Sequence, residues 1–190
     1  MMVLGILGSP RASGNSNTVL EQALAGAASA GAQTEVLRVA ELSISGCRAC
    51  GYCEEADGCQ IPDAMQDVYP RLLTADVIFL AAPVFFYGLP AQLKALIDRC
   101  QACFCKRRRE KKHLPRRAAR GRGYLIGVAA QRRNDLFVGI ECTARYFFQA
   151  LDLTYAGSLL LRGLEDPTAA RESQTVCRRA YDFGKTAAQN

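Results

Sequence analysis

The sequence predicts an α/β fold: a doubly wound parallel sheet of five strands in the order 2-1-3-4-5, with helices on both faces. Three observations carry this. Strand-like apolar runs and helix-like periodic segments alternate five times, which calls for a parallel sheet covered on both sides. The run Val77 to Ala82 is almost wholly apolar, as a central parallel strand buried on both faces must be. The chain has 190 residues, 49% hydrophobic and 22% charged, which suits one domain with a core large enough to need no disulfide staples.

The elements follow in order. Val3 to Leu7 is a short apolar run ending at Gly8, the first strand. A polar loop runs from Ser9 to Asn17. Thr18-Val19-Leu20-Glu21 has capping-box spacing and is expected to open the first helix, with Leu20, Ala23, Leu24 and Ala27 on its apolar face. Gly31 ends that helix, and Thr34 to Val39 is the second strand. A cysteine-rich loop spans 46–59, and a short helix follows from about Ala64 to Leu73. After the third strand comes the loop Pro83 to Pro90, then a helix from Ala91 to about Cys105. A basic loop, 106–122, leads to the fourth strand, Tyr124 to Ala130. Phe137 to Leu151 is a helix, Ala156 to Leu161 the fifth strand, and Thr168 to about Ala187 the last helix. Residues 1–190 are expected to form a single domain.

Composition narrows the function classes. The apolar start, Met1 to Leu7, is short, lacks a preceding basic region and runs into Gly8-Ser9-Pro10-Arg11, unlike a secretory signal. The longest apolar run, Val77 to Ala91, contains two prolines and is too short for a membrane span. A cytoplasmic protein with no membrane partner is expected. Nine cysteines in a reducing compartment point to metal ligands or redox thiols rather than structural disulfides. The net charge of +6 hides an asymmetry: Lys106 to Arg122 holds ten Lys or Arg and one Glu, a net +9, leaving −3 for the rest. One basic insertion on a mildly acidic domain is a poor match for a nucleic-acid binder.

In a sheet of this order the first and third strands are neighbours whose following helices lie on opposite faces. The crevice beyond their carboxyl ends is where a ligand should bind. The loop Gly8-Ser9-Pro10-Arg11-Ala12-Ser13-Gly14-Asn15-Ser16-Asn17-Thr18 lies there. Backbone amides at a helix N-terminus attract an anion, and Arg11 can neutralise a phosphate. A capped polar loop without a ligand is the alternative. No Gly-Lys-Ser/Thr and no GxGxxG is present, which disfavours a nucleoside triphosphatase or a dinucleotide fold. The loop after the third strand, Ala82-Pro83-Val84-Phe85-Phe86-Tyr87-Gly88-Leu89-Pro90, offers aromatic rings to a flat ligand, and Gly88 lets the backbone approach it. One of Phe85 and Phe86 is expected inward and the other outward.

These two loops, the segment Pro90-Ala91-Gln92-Leu93-Lys94-Ala95-Leu96-Ile97-Asp98-Arg99 and the cysteine loop resemble the NADPH-dependent FMN reductase superfamily. Within it, the four clustered cysteines look most like the iron–sulfur flavoproteins. The resemblance covers roughly Val3 to Arg99. It implies a flavodoxin-like fold, FMN as cofactor and NADPH or NADH as a possible electron donor. By the same resemblance, Ser9, Arg11, Ser13, Asn15, Ser16, Asn17 and Thr18 would hold the FMN phosphate. Pro83, Val84, Phe85, Phe86, Tyr87 and Gly88 would flank the isoalloxazine ring. The family's third flavin contact is often glycine-rich; here it reads Ala129-Ala130-Gln131-Arg132-Arg133, with Ala130 and Gln131 nearest the ring. A homodimer or homotetramer is the expected assembly.

Cys47, Cys50 and Cys53 at two-residue spacing, closed by Cys59, can wrap a [4Fe–4S] cluster. A four-cysteine zinc site and a set of reduced thiols without metal are the alternatives. A flavin takes two electrons and can release them singly, and a cluster moves one at a time, so the pair would make a relay. No side chain is expected to act as a catalytic acid or base, and the single histidine, His113, lies in the basic loop. Helical spacing puts Cys100 and Cys103 on one face and Cys105 off it; the three are expected to be buried small apolar residues, with a ligand role as the alternative. Lys94, Asp98 and Arg99 are expected to form a solvated or interface ion pairing, not a catalytic set. Three functions remain: a flavin oxidoreductase using NAD(P)H or a reduced protein donor, an electron carrier docking an acidic ferredoxin through the basic loop, and a polyanion-binding module.

Overall fold

The computed structural model describes residues 1–110 and 121–189. Five strands, β1 (Met2–Leu7), β2 (Gln33–Arg38), β3 (Val77–Pro83), β4 (Arg122–Val128) and β5 (Thr154–Leu161), form one sheet in the order β2-β1-β3-β4-β5. Every pairing is parallel. This is the doubly wound, flavodoxin-like arrangement expected from the alternation.

The eight helices of the described residues are α1 (Asn15–Ser29), α2 (Tyr52–Glu55), α3 (Met65–Thr74), α4 (Ala91–Arg99), α5 (Gln101–Arg109), α6 (Val138–Ala150), α7 (Ala169–Glu172) and α8 (Gln174–Gln189). Side-chain alternation along β3 divides the core between them. Val77, Phe79 and Ala81 pack with Val19, Leu20 and Ala23 of α1 and Ala180 of α8. Ile78, Leu80 and Ala82 pack with Leu72 of α3, Leu96 of α4 and Phe147 of α6. Both faces of the central strands are therefore dry, which explains why β3 reads as an unbroken apolar run. On the first of these faces α1 and α8 pack backbone to backbone. A Cβ on Gly184 would meet the Ala23 carbonyl oxygen, and one on Gly26 the Tyr181 carbonyl oxygen.

Several boundaries differ from the sequence expectation. The first helix starts at Asn15, not Thr18. The Thr18–Glu21 capping box is unused: the Thr18 N–H bonds the Gly14 carbonyl at 3.0 Å, and Glu21 accepts from Asn17 Nδ2 at 2.8 Å. The earlier turn is secured from outside. Asn15 Nδ2 donates to the Leu164 and Asp166 carbonyls at 3.1 and 2.8 Å, and its Oδ1 accepts the Ala170 N–H at 2.8 Å.

The helix expected over Ala91 to Cys105 is two helices meeting at Cys100, where ψ is 0°. Cys100, Cys103 and Cys105 are all buried; Cys105, two positions beyond Cys103 and so on another side of α5, is covered by the cysteine loop, its sulfur 3.8 Å from that of Cys53. Arg99 is buried and pairs with Asp63 at 2.6 Å, contrary to the solvated or interface pairing expected of it with Lys94 and Asp98; those two form an exposed ion pair of their own, at 2.7 Å. The last helix is interrupted at Ser173, which separates α7 from α8. Of the expected basic loop, Lys106 to Arg109 continue α5 and Arg122 begins β4. Residues 111–120 of that loop, His113 among them, lie outside the described residues.

Candidate functional site

Two adjoining cavities open at the carboxyl ends of the central strands, where the topology places a ligand. The first, of 250 Å³, is lined by Ser9, Arg11, Gly14, Asn15 and Ser16 of the β1–α1 connection, and by Glu165 beyond β5. The N-terminus of α1 opens onto it. Its N-cap, Gly14, has no side chain to offer, and the first turn contains no acidic residue. The first N–H groups of a helix lack intrahelical acceptors, and here no side chain takes them, so an anion is the natural partner. Arg11, exposed at the rim, adds a full positive charge.

The second cavity, of 680 Å³, is walled by Val84, Phe85, Phe86 and Tyr87 on one side and by Ala129, Ala130, Gln131 and Leu136 on the other. Val84, Phe85 and Ala130 line both cavities. Together they form one cleft with an anion-seeking end and an apolar, aromatic end. That sequence of environments fits flavin mononucleotide.

The aromatic wall is a tight hairpin. Phe85 and Gly88 exchange both backbone hydrogen bonds, at 3.0 and 2.8 Å. The two residues between them, Phe86 and Tyr87, have φ of 48° and 62°. Positive φ at both central positions is the type I′ pattern, which favours Asn and Gly; non-glycine residues held there cost about 1–3 kcal/mol each and cluster at ligand sites. The turn is held at its foot by the close approach of the Tyr87 carbonyl to Gly139. At its tip Tyr87 Oη donates to Asp135 Oδ2 at 3.4 Å. Arg133 pairs with the same carboxylate at 3.0 Å and holds it below its ordinary pKa. The geometry leaves Phe85 47% and Phe86 104% exposed, so neither ring is inward, against the expectation of one each way. Phe86 sits at the tip of the turn with its ring in solvent, and Phe85, which flanks the turn, borders both cavities.

The sequence-expected residues divide accordingly. Ser9, Arg11, Asn15, Ser16, Pro83, Val84, Phe85, Phe86, Tyr87, Ala130 and Gln131 line the cleft. Ser13, Asn17, Thr18 and Gly88 are not among its lining residues. Asn17 faces β2 instead, accepting from Arg38 Nη1 at 2.9 Å, and Gly88 closes the hairpin. Asn15 reaches the cavity with its side chain fully engaged to the segment after β5, so its role there is to position the turn. Leu164, Glu165 and Pro167 line the first cavity and had no signal in the sequence. They arrive through the Asn15 bonds, which join positions about 150 residues apart.

Two substitutions separate these roles. Arg11→Ala removes an exposed charge and should weaken flavin binding by about 10–100-fold, from a charge-assisted contact of about 1.5–3 kcal/mol. Asn15→Asp places a carboxylate against two carbonyls and beside the anion site, and should weaken binding roughly tenfold or more. Titrating apoprotein with FMN measures both. Unchanged affinity in both variants would refute the phosphate assignment.

A third cavity, of 350 Å³, lies under the cysteine loop and is lined by Cys47, Cys50, Cys53, Cys59, Arg48 and Arg99, with Asp98, Gln101 and Ala102 of α4 and α5 as its floor. All four thiols are free. Among the described residues no three Cys, His, Asp or Glu side chains converge on a point that could hold one metal ion. A cluster would require one thiolate for each iron, and the four thiols border the same cavity. The Tyr52 backbone N–H and the Gln60 amide hold the Cys50 thiol below its ordinary pKa. Burial, then Cys105 beside it, push Cys53 up to about 11; the two sulfurs are 3.8 Å apart.

Helix α5 braces this loop with its cations. Lys106 pairs with Asp57 at 2.9 Å. Arg109 pairs with the same carboxylate and also donates to the Cys53 and Ala56 carbonyls. Arg107 turns the other way, to Asp152 at 2.9 Å and the Gln149 carbonyl. The described part of the basic stretch thus spends most of its charge inside the chain.

Residues 1–140 match the profile of the NADPH-dependent FMN reductase family. An iron-sulfur flavoprotein of Methanosarcina thermophila is 40% identical over 99 residues, 52% of this chain and 52% of that protein. One of Methanocaldococcus jannaschii is 32% identical over 149 residues, 77% of this chain and 71% of the relative. The match thus spans about half the length of several curated relatives. Among solved structures, a flavone reductase superposes with a TM-score of 0.74 at 17% identity, over 100% of this chain and 62% of the other. An NAD(P)H:quinone oxidoreductase from Methanothermobacter marburgensis gives 0.69 at 18%, over 98% and 95%. At such identities the likeness concerns the fold. No helix among the described residues is long and apolar enough to cross a membrane.

Proposed function

Because the chain belongs to the NADPH-dependent FMN reductase family, we propose that it binds FMN and works as a flavin oxidoreductase, taking electrons from NAD(P)H or a reduced protein donor. One observation carries the reading: the cleft at the carboxyl ends of β1, β3 and β4 runs without interruption from an uncapped helix N-terminus to an aromatic wall. The chemistry of the reaction belongs to the flavin, which accepts a hydride and returns electrons singly or in pairs. The chain binds and orients. Amides of the first turn of α1, with Arg11, hold the phosphate. Val84, Phe85, Phe86 and Tyr87 wall the ring, and the cleft remains open enough beside them for a donor to approach.

The cysteine cavity is read as the seat of a [4Fe–4S] cluster held by Cys47, Cys50, Cys53 and Cys59. Its fit rests on four free thiols around one cavity. An electron-carrier role with an acidic ferredoxin is the second reading. Neutralisation of Lys106, Arg107 and Arg109 within the chain weighs against α5 as its docking surface and favours the small donor.

Denaturing anaerobically purified protein and chromatographing the released flavin tests the proposal. Stoichiometric FMN is expected, with bleaching of the flavin bands on addition of NADPH. FAD, or no flavin after reconstitution, would overturn it.

A further inference from the structure

Arg99 is the largest of the most deeply buried side chains in the described structure, at 1% exposure. Desolvating a guanidinium costs several kcal/mol, and a buried ion pair is often no more stable than apolar residues of the same volume. Stability alone therefore does not account for its position, and its partners suggest another reason.

Its Nη1 donates to Asp63 Oδ2 at 2.6 Å and to the Ser45 carbonyl at 3.0 Å. Nη2 reaches the Ile61 carbonyl at 3.3 Å. Asp63 completes the knot, accepting the Ser45 N–H at 2.8 Å and the Met65 N–H at 3.1 Å. Burial opposes the charge on Asp63, but Arg99 and these two N–H groups outweigh it and hold the carboxyl below its ordinary pKa. Ser45 stands two residues before Cys47 and Ile61 two residues after Cys59. One side chain thus ties both ends of the cysteine loop to the end of α4.

One donor is left over. Arg99 Nε is buried with no hydrogen-bond partner, and Arg99 lines the cavity that the four thiols surround. A buried N–H costs about 1–3 kcal/mol when unmade, so this donor, on a residue that borders the cavity, calls for an acceptor. A positive charge in a low-dielectric wall makes an anionic acceptor the better partner.

We propose that Arg99 is the positioning and charge-compensating residue of the cysteine cavity: it pins both ends of the loop and gives its spare Nε–H to an anionic thiolate-bound cluster. The inference rests on the cluster reading above. Four thiolates give such a cluster a net negative charge, and reduction by one electron adds another. A buried cation and an N–H bond to sulfur both favour the reduced form and raise the potential.

The test compares wild type, Arg99→Gln and Arg99→Lys as full chains, reconstituted anaerobically with iron and sulfide. FMN content serves as the check of folding. Arg99→Gln should hold iron about 10–100-fold less tightly against a chelator, as loss of an outer-sphere partner does. Its residual cluster should titrate at a more negative midpoint, followed by electron paramagnetic resonance, while the FMN midpoint stays put. Arg99→Lys should restore most of the midpoint and little of the retention, since an ammonium cannot span the same three oxygens. Should Arg99→Gln alone fail to fold, Arg99→Gln/Asp63→Asn removes both charges together; iron retention should fall as in the single variant, and the midpoint should move in the same direction by a smaller amount, since only the N–H bond and not the net charge is lost. Iron loss with an unshifted midpoint would reduce Arg99 to a structural prop and overturn the proposal. Wild-type retention and midpoint in Arg99→Gln would do the same. A wild type that takes up no iron would instead overturn the cluster reading, and this inference with it.

Discussion

Serine at Cys47, Cys50 or Cys59 is expected to reduce bound iron from about four per chain to a small remainder, with acid-labile sulfide falling in step. Serine at Cys142 or Cys177 should leave both unchanged. The three replaced thiols line one cavity, and a cluster deprived of one thiolate exposes an iron to solvent. Cys142 is exposed on α6 and Cys177 lies on α8, and neither lines that cavity. Cys53→Ser should be the mildest of the four, because Cys105 Sγ lies 3.8 Å from Cys53 Sγ and offers a second thiol. The double variant Cys53→Ser/Cys105→Ser should then lose iron as fully as Cys47→Ser. Iron and sulfide assays on anaerobically reconstituted protein decide the matter. Equal iron in wild type and Cys47→Ser would dismiss the ligand assignment. FMN content should be unaffected throughout, since the flavin cleft and the cysteine cavity share no lining residue.

Gly184→Ala is expected to cost stability more than any substitution at the surface. The added methyl would stand against the Ala23 carbonyl oxygen and Cα, which are backbone atoms of α1 and cannot rotate aside. Relief requires the two helices to separate, and with them the packing of Leu20, Ala23 and Ala27 over β1 and β3. Overpacking of this kind costs about 3 kcal/mol or more, which for a chain of this size lowers Tm by roughly 6–12 °C. Gly46→Ala is the control. Its Cβ would meet nothing within 4 Å, and its Tm should stay within a degree or two of wild type. A Tm for Gly184→Ala equal to that of Gly46→Ala would mean that α1 and α8 do not touch at this crossing.

The sheet was legible in the residues because its cause is local. Each strand is a short apolar run, each connection a helical period, and right-handed crossovers with short links leave few ways to join them. That Ser9, Arg11, Asn15 and Ser16 line a cavity at the N-terminus of α1 was legible for the same reason, since strand, small polar loop and helix are contiguous there. The aromatic loop was legible as a loop, but its I′ turn was not, because Phe86 and Tyr87 are residues that composition never assigns to positive φ. Packing of the Tyr87 carbonyl against Gly139 and the Tyr87–Asp135–Arg133 contacts support the turn.

The sequence by itself determined which segments become strands and helices, to within their ends, and the order of strands in the sheet. The tertiary structure alone decided where α1 begins, that Cys105 turns inward beside Cys53, that the cations of α5 brace the cysteine loop, and that Arg99 is buried beneath it. Each of these depends on a partner far away in the chain: Asn15 on Leu164 and Ala170, Lys106 and Arg109 on Asp57, Arg99 on Ser45 and Asp63. Propensity and periodicity describe a residue's neighbours within a few positions. A buried charge or an early helical turn is stable only through a contact that exists after the chain has closed on itself, and no local pattern contains it.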